Sequence, residues 1–161
     1  MIFDCNRNKQ LTKNFNVLDL KCKGSGHIHN TFVNIDFINK LQKFIDDNGF
    51  DKIEIIKGYL CNEYIKKNNI NNDKYSKNDA IEICFYKNGE IVSADDVCKL
   101  ANSSGIFAEK VDANIVYFEN GKVAIPIKEK PKKEIIEEQT TFNEDTIDDL
   151  IEEGEVENVQ D

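Results

Sequence analysis

The chain has 161 residues, 40% hydrophobic and 32% charged, with a formal net charge of -9, which allows one core of ordinary size with segments left over. Twelve of the thirty acidic residues lie between Glu134 and Asp161, where there is no Lys or Arg, so residues 1–133 hold 21 basic against 18 acidic side chains, a net of +3. A near-neutral domain with an acidic tail lacks the clustered positive surface that nucleic acid demands, and neither a signal-peptide core in the first ten residues nor an apolar run near the ~20 residues of a membrane span is present, so neither nucleic acid nor membrane is expected as a partner.

Residues 11–30 read as a loop-rich lead-in with an apolar beat at Phe15, Val17 and Leu20. From Thr31 to residue 48 the pattern turns helical, with Ile38, Leu41 and Ile45 at helical spacing, Phe37 and Phe44 widening the stripe, and Gly49 as the stop. The β-branched run from Ile53 to Ile56 predicts a strand ending at Gly58 and Tyr59, and Asn62–Asn69 a shorter helix. The Asn-rich stretch from Asn68 to Lys74 is a loop. Ile81–Tyr86 is a strand, followed by an Asn88-Gly89 turn into Ile91 and Val92. Ser93 with Asp96 marks a third helix, whose apolar side is assigned to Val97, Cys98, Leu100 and Ala101. Two last strands, near Asn114–Phe118 and Lys122–Ile127, flank Asn120-Gly121.

These elements predict a mixed α+β domain with a mainly antiparallel sheet and two or three helices, over residues 1–128. Residues 129–161 are expected to be an acidic tail, disordered alone or folding on a partner, in which Ile147, Leu150 and Ile151 would make one apolar face. The five cysteines, Cys5, Cys22, Cys61, Cys84 and Cys98, show no CxxC spacing and are expected as reduced thiols.

Three segments carry a resemblance. Lys13–Val17 leads to Lys21-Cys22-Lys23; the helix and strand then lead to Lys57-Gly58-Tyr59-Leu60; and Tyr75-Ser76-Lys77-Asn78-Asp79-Ala80-Ile81-Glu82-Ile83 follows. In this order they resemble the zinc D-Ala-D-Ala carboxypeptidases, whose fold is shared with the Hedgehog signalling domain, over about residues 11–124. The resemblance implies a Ser-Gly-Tyr-Arg at 57–60, where Leu60 replaces a charge-stabilising arginine. It implies His-x-x-Gly-x-Ala-x-Asp-Ile at 75–83, where Tyr75 and Glu82 take the two ligand positions and Asn78 replaces Gly. It implies Glu-x-x-His-x-Asp at 114–119, where Asn114 stands for the base and Tyr117 for the third ligand.

A catalytic zinc needs about three protein ligands and an open position, with a carboxylate close by. Of the residues at those positions only Glu82 ligates readily, since phenols keep their protons to a pH near 10 and Asn114 cannot act as a base. The expectation is therefore a degenerate member with no catalytic residue, no metal and no cofactor, leaving a vestigial cleft of Tyr59, Leu60, Tyr75, Glu82, Asn114 and Tyr117. Without the resemblance, Tyr75, Glu82 and Tyr117 are core-edge or surface residues of a generic domain. A rival metal set, Cys22 with His27 and His29, has no known fingerprint and reads more simply as exposed loop histidines.

The function expected is a non-enzymatic structural or recognition module of a bacteriophage virion, made in the host cytoplasm. Its partners would be other virion proteins, engaged through the tail, and a cell-wall peptide in the cleft. The alternative is a peptidoglycan peptidase with an atypical metal site.

Overall fold

The computed structural model describes residues 1–24 and 30–126. His27, His29 and the tail residues Ile147, Leu150 and Ile151 lie outside the described residues. The chain partitions between Lys128 and Glu129.

In chain order the elements are β1 (Ile2–Phe3), α1 (Val17–Leu20), β2 (Thr31–Phe32), α2 (Ile35–Asn48), β3 (Lys52–Lys57), α3 (Asn62–Lys67), a 3-10 turn (Asp73–Lys77), β4 (Ala80–Lys87), β5 (Glu90–Ile91), α4 (Ala94–Ser103), β6 (Ala108–Lys110) and β7 (Val116–Glu119). The architecture is mixed α+β, and among the described residues every strand pairing is antiparallel. The main sheet runs β3-β4-β7-β6, with β5 on β4, and β1 with β2 forms a separate ribbon.

Helix α2 starts later than the hydrophobic pattern predicts. Thr31 and Phe32 are committed to pairing with Phe3 and Ile2, and Asn34 caps the helix by accepting from the Phe37 amide. The predicted stop is in place: Gly49 adopts φ 67, a left-handed conformation that glycine tolerates best. The Phe37, Ile38, Leu41, Phe44 and Ile45 stripe is buried.

The lead-in is better ordered than its composition suggests, because Phe15, Val17 and Leu20 are fully buried and the last two sit on the short helix α1, capped by Asn16. In α4, Ser93 caps as expected, but the buried side is Ala94, Val97, Cys98, Ala101 and Asn102. Leu100 instead faces solvent. Asn102 earns its buried place by donating to the Cys98 and Ala108 carbonyls.

The predicted hairpin partner of the last strand does not form. β7 already pairs with β4 along one edge and with β6 along the other, so no edge is left for Lys122–Pro126, and Val123 and Ile125 are exposed. Its second partner is β6, a three-residue strand too short to announce itself in the sequence.

Ile81, Ile83 and Phe85 of β4 join Val116 and Phe118 of β7 and the α2 stripe in one core. Phe85 is its aromatic hub, with ring centroids 4.9 Å from Phe50, 5.7 Å from Phe118 and 6.1 Å from Phe44. That core occupies one face of the sheet.

Candidate functional site

Alternation along β4 and β7 sends the remaining residues to the opposite face. There Ala80 and Tyr117 pack with Leu60, Tyr75 and Phe107 in a second, smaller cluster, flanked by Cys22, Tyr64, Ile65 and Ile70. Glu82 lies directly across from Tyr117 in the β4–β7 pairing. On its other side a bulge in β3 after Ile55 shifts the register, so that Lys57 stands opposite Glu82.

Tyr75 arrives from the 3-10 turn. Asn72 caps that turn through the Lys74 amide, and Asn78 closes it in the left-handed conformation, φ 53 and ψ 36. The Leu60 amide donates to the Tyr75 carbonyl at 3.2 Å, tying the exit of β3 to the turn. The Asn78 side chain accepts from the Asn34 amide at 3.1 Å, fixing the turn to the start of α2.

The polar groups interlock. The Tyr75 hydroxyl donates to Glu82 Oε1 at 2.7 Å, and the Lys57 ammonium reaches the same oxygen at 2.9 Å, lying 5.4 Å from the Tyr75 ring centroid. The Tyr117 hydroxyl donates to Glu119 at 2.6 Å and accepts from Asn72 at 2.9 Å. The two tyrosine rings meet edge to face at 6.1 Å. Leu60 is 5% exposed, Tyr75 5%, Glu82 7% and Tyr117 8%.

Burial pushes the Tyr75 phenol far above its ordinary value, and its hydrogen bond to Glu82 adds to the shift. Tyr117 moves the same way through burial and its bond to Glu119. Both phenols therefore hold their protons at neutral pH and act as donors to carboxylates.

Such an arrangement does not fit the zinc that the resemblance implies. Two of the three positions present protonated phenols, and Glu82 is engaged by Tyr75 and Lys57. Among the described residues no group of three or more His, Cys, Asp or Glu side chains converges to hold a metal ion. What the cluster can do is rigidify the second face of the sheet. Beside it an open depression of about 330 Å³ is lined by Asn72, Tyr117, Glu119, Glu109, Lys110 and Lys122, among others.

The fold thus brings Leu60, Tyr75, Glu82 and Tyr117 together as a filled cluster. Tyr59 is half-buried beside them. Its amide donates to the Leu20 carbonyl, and its phenol is raised by burial and by the nearby Cys61 and Cys22. Asn114 lies in the bend before β7, and among the described residues no hydrogen bond links it to Tyr75, Glu82 or Tyr117. Lys57, Asn72 and Glu119 complete the network and were not among the residues expected there. Glu119, two residues after Tyr117, shares its side of β7 by alternation and was recoverable from the sequence. The bulge that aims Lys57 was not.

The Gly58-Tyr59 pair has a physical reason. A Cβ on Gly58 would lie 2.6 Å from the Leu20 carbonyl oxygen and 2.9 Å from its Cα. Only glycine lets the exit of β3 approach the end of α1 this closely.

No family model, no curated protein sequence and no solved structure matches the chain. No helix among the described residues is long and apolar enough to cross a membrane.

Proposed function

We propose that this domain is a non-enzymatic structural or recognition module, built on an inactivated frame of the D-Ala-D-Ala carboxypeptidase type and serving as a component of a bacteriophage particle. The observation that carries the reading is the convergence of Tyr75, Glu82 and Tyr117, the three positions at which the resemblance has its zinc ligands. They come from a turn and two different strands, yet the Tyr75 hydroxyl bonds Glu82 at 2.7 Å and its ring meets Tyr117 at 6.1 Å. A metal frame whose ligands have been exchanged for a packed, proton-holding network keeps its shape and loses its chemistry.

The particle assignment rests on the resemblance, since domains of that family serve phages as lysins or mounted on virions. The acidic segment from Glu134 to Asp161 supplies a surface for a protein partner.

Restoring the implied ligands tests the frame. The triple variant Tyr75→His, Glu82→Asp, Tyr117→His should take up about one zinc per chain after passage over a weak chelator, and the native chain none. The native chain should leave stem peptides ending in D-Ala-D-Ala intact and co-sediment with virions. Chelator-sensitive cleavage of those peptides by the native chain would overturn the reading, as would its consistent absence from particles.

A further inference from the structure

The end of α1 and the residues after it are held against β3 and its exit at two points. The Tyr59 amide donates to the Leu20 carbonyl at 2.7 Å, the Lys23 ammonium reaches the Ile55 carbonyl at 2.8 Å, and Gly58 lets the two backbones touch. The clamp delivers two sulfurs to one place. Cys22 Sγ lies 3.8 Å from Cys61 Sγ, the one sulfur–sulfur contact among the described residues.

We propose that Cys22 and Cys61 are a redox modification site, which a peroxide converts to an intramolecular disulfide. A disulfide needs its sulfurs about 2.05 Å apart, so the pair must close by roughly 1.8 Å. Rotation of the Cys22 side chain, which is only half-buried, supplies that movement while the clamp holds both backbones.

The chemistry balances with the peroxide as the only oxidant. The sulfur of Cys22, the more exposed of the two, attacks the peroxide. The O–O bond breaks, a sulfenic acid forms on Cys22, and the other oxygen leaves as water with the first thiol proton. The Cys61 sulfur then attacks the sulfenic sulfur. The S–S bond forms, the S–O bond breaks, and that oxygen departs as a second water carrying the second thiol proton. Two thiols have lost two electrons, and the peroxide has gained them. Burial raises the Cys61 thiol above its ordinary value, which favours this order of events.

The crosslink closes a loop between positions 39 apart, long enough to restrict the unfolded chain substantially. It also staples the lead-in to the wall of the second cluster, of which Cys22 is a flanking member. The site does not depend on the particle assignment and can fail or stand without it.

The test treats the full native chain with stoichiometric hydrogen peroxide, then applies peptide mapping without reductant and a thermal melt. The expected result is a single internal link joining Cys22 to Cys61, an intact mass lower by two hydrogens, and a melting temperature raised on the order of 10 °C. Dithiothreitol should reverse all three. Cys22→Ser should abolish the shift, whereas Cys5→Ser should keep it. A link elsewhere, a disulfide-joined dimer, or sulfinic acid at Cys22 without the internal link overturns the proposal. The map of the native chain decides the matter even where the Cys22 variant fails to fold.

Discussion

Tyr75 donates its hydroxyl to Glu82, and the Lys57 ammonium shares the carboxylate oxygen that receives it. Two donors of different kinds therefore hold one carboxylate that is almost fully buried. Removing either side of this arrangement has unequal consequences. Tyr75→Phe takes away one donor and leaves Glu82 with Lys57, at a cost of about 1–2 kcal/mol. Glu82→Ala strands the buried Tyr75 hydroxyl and frees Lys57, which is partly exposed, to solvent, and should cost about 2–3 kcal/mol. Urea denaturation of the two variants checks the order, and equal losses would contradict it.

The two buried phenols set an alkaline limit on stability. Their folded values are raised, so the protonated form is favoured in the native state. Their contribution is complete below the unfolded value of about 10 and is lost as pH rises above it, because the unfolded chain releases protons that the folded chain retains. Phenolate absorbance should show a late step that coincides with loss of the folded circular dichroism signal. In the Tyr75→Phe, Tyr117→Phe double variant that step should shrink, leaving the contribution of Tyr59, whose phenol is also raised by burial.

At Gly58 a single methyl group should be felt. Gly58→Ala drives a Cβ into the Leu20 backbone, which cannot yield as a flexible side chain would, and overpacking of this kind costs about 1–3 kcal/mol. A lower melting point with retained secondary structure is the expected outcome.

Asn78 separates two backbone effects. It occupies a left-handed conformation while its side-chain oxygen accepts from Asn34. Its side-chain nitrogen, Nδ2, has no partner among the described residues. Asn78→Gly loses only the acceptor and should cost about 1 kcal/mol, whereas Asn78→Ala also meets the left-handed penalty and should cost about 2–3 kcal/mol. Thermal melts of the two variants give the ranking.

Phe85→Ala removes the aromatic hub of the main core, where the ring is fully buried against Phe44, Phe50 and Phe118. A loss of about 3–5 kcal/mol is expected, a large part of what a domain this size has. Partial unfolding at ordinary temperature, seen by proteolysis, would be consistent with it.

Local chemistry made part of this fold legible. Asn88 and Gly89 both take positive φ, as a two-residue hairpin turn between β4 and β5 requires, and Ser93 caps α4 through the Asp96 amide. The identical dipeptide at Asn120-Gly121 misled, because a turn signal states only that the chain bends and not whether a strand edge is vacant on the far side. The helical stripe beginning at Thr31 misled for a related reason, since β1 had already claimed Thr31 and Phe32. In the second cluster, Tyr75, Glu82 and Tyr117 could be grouped only through a resemblance, because no periodicity links a turn to two strands. Lys57 stayed hidden because a bulge leaves no composition mark.

The outer strands of the main sheet carry a consequence for crowding. β6 spans three residues and ends in Glu109 and Lys110, and β3 is interrupted by its bulge while Lys23 occupies its Ile55 carbonyl. Neither margin offers a long, flat row of backbone groups on which another chain could lay a strand. Copies held at high local concentration, as in a repetitive assembly, would meet through side chains and stay separable rather than fuse into a continuous sheet.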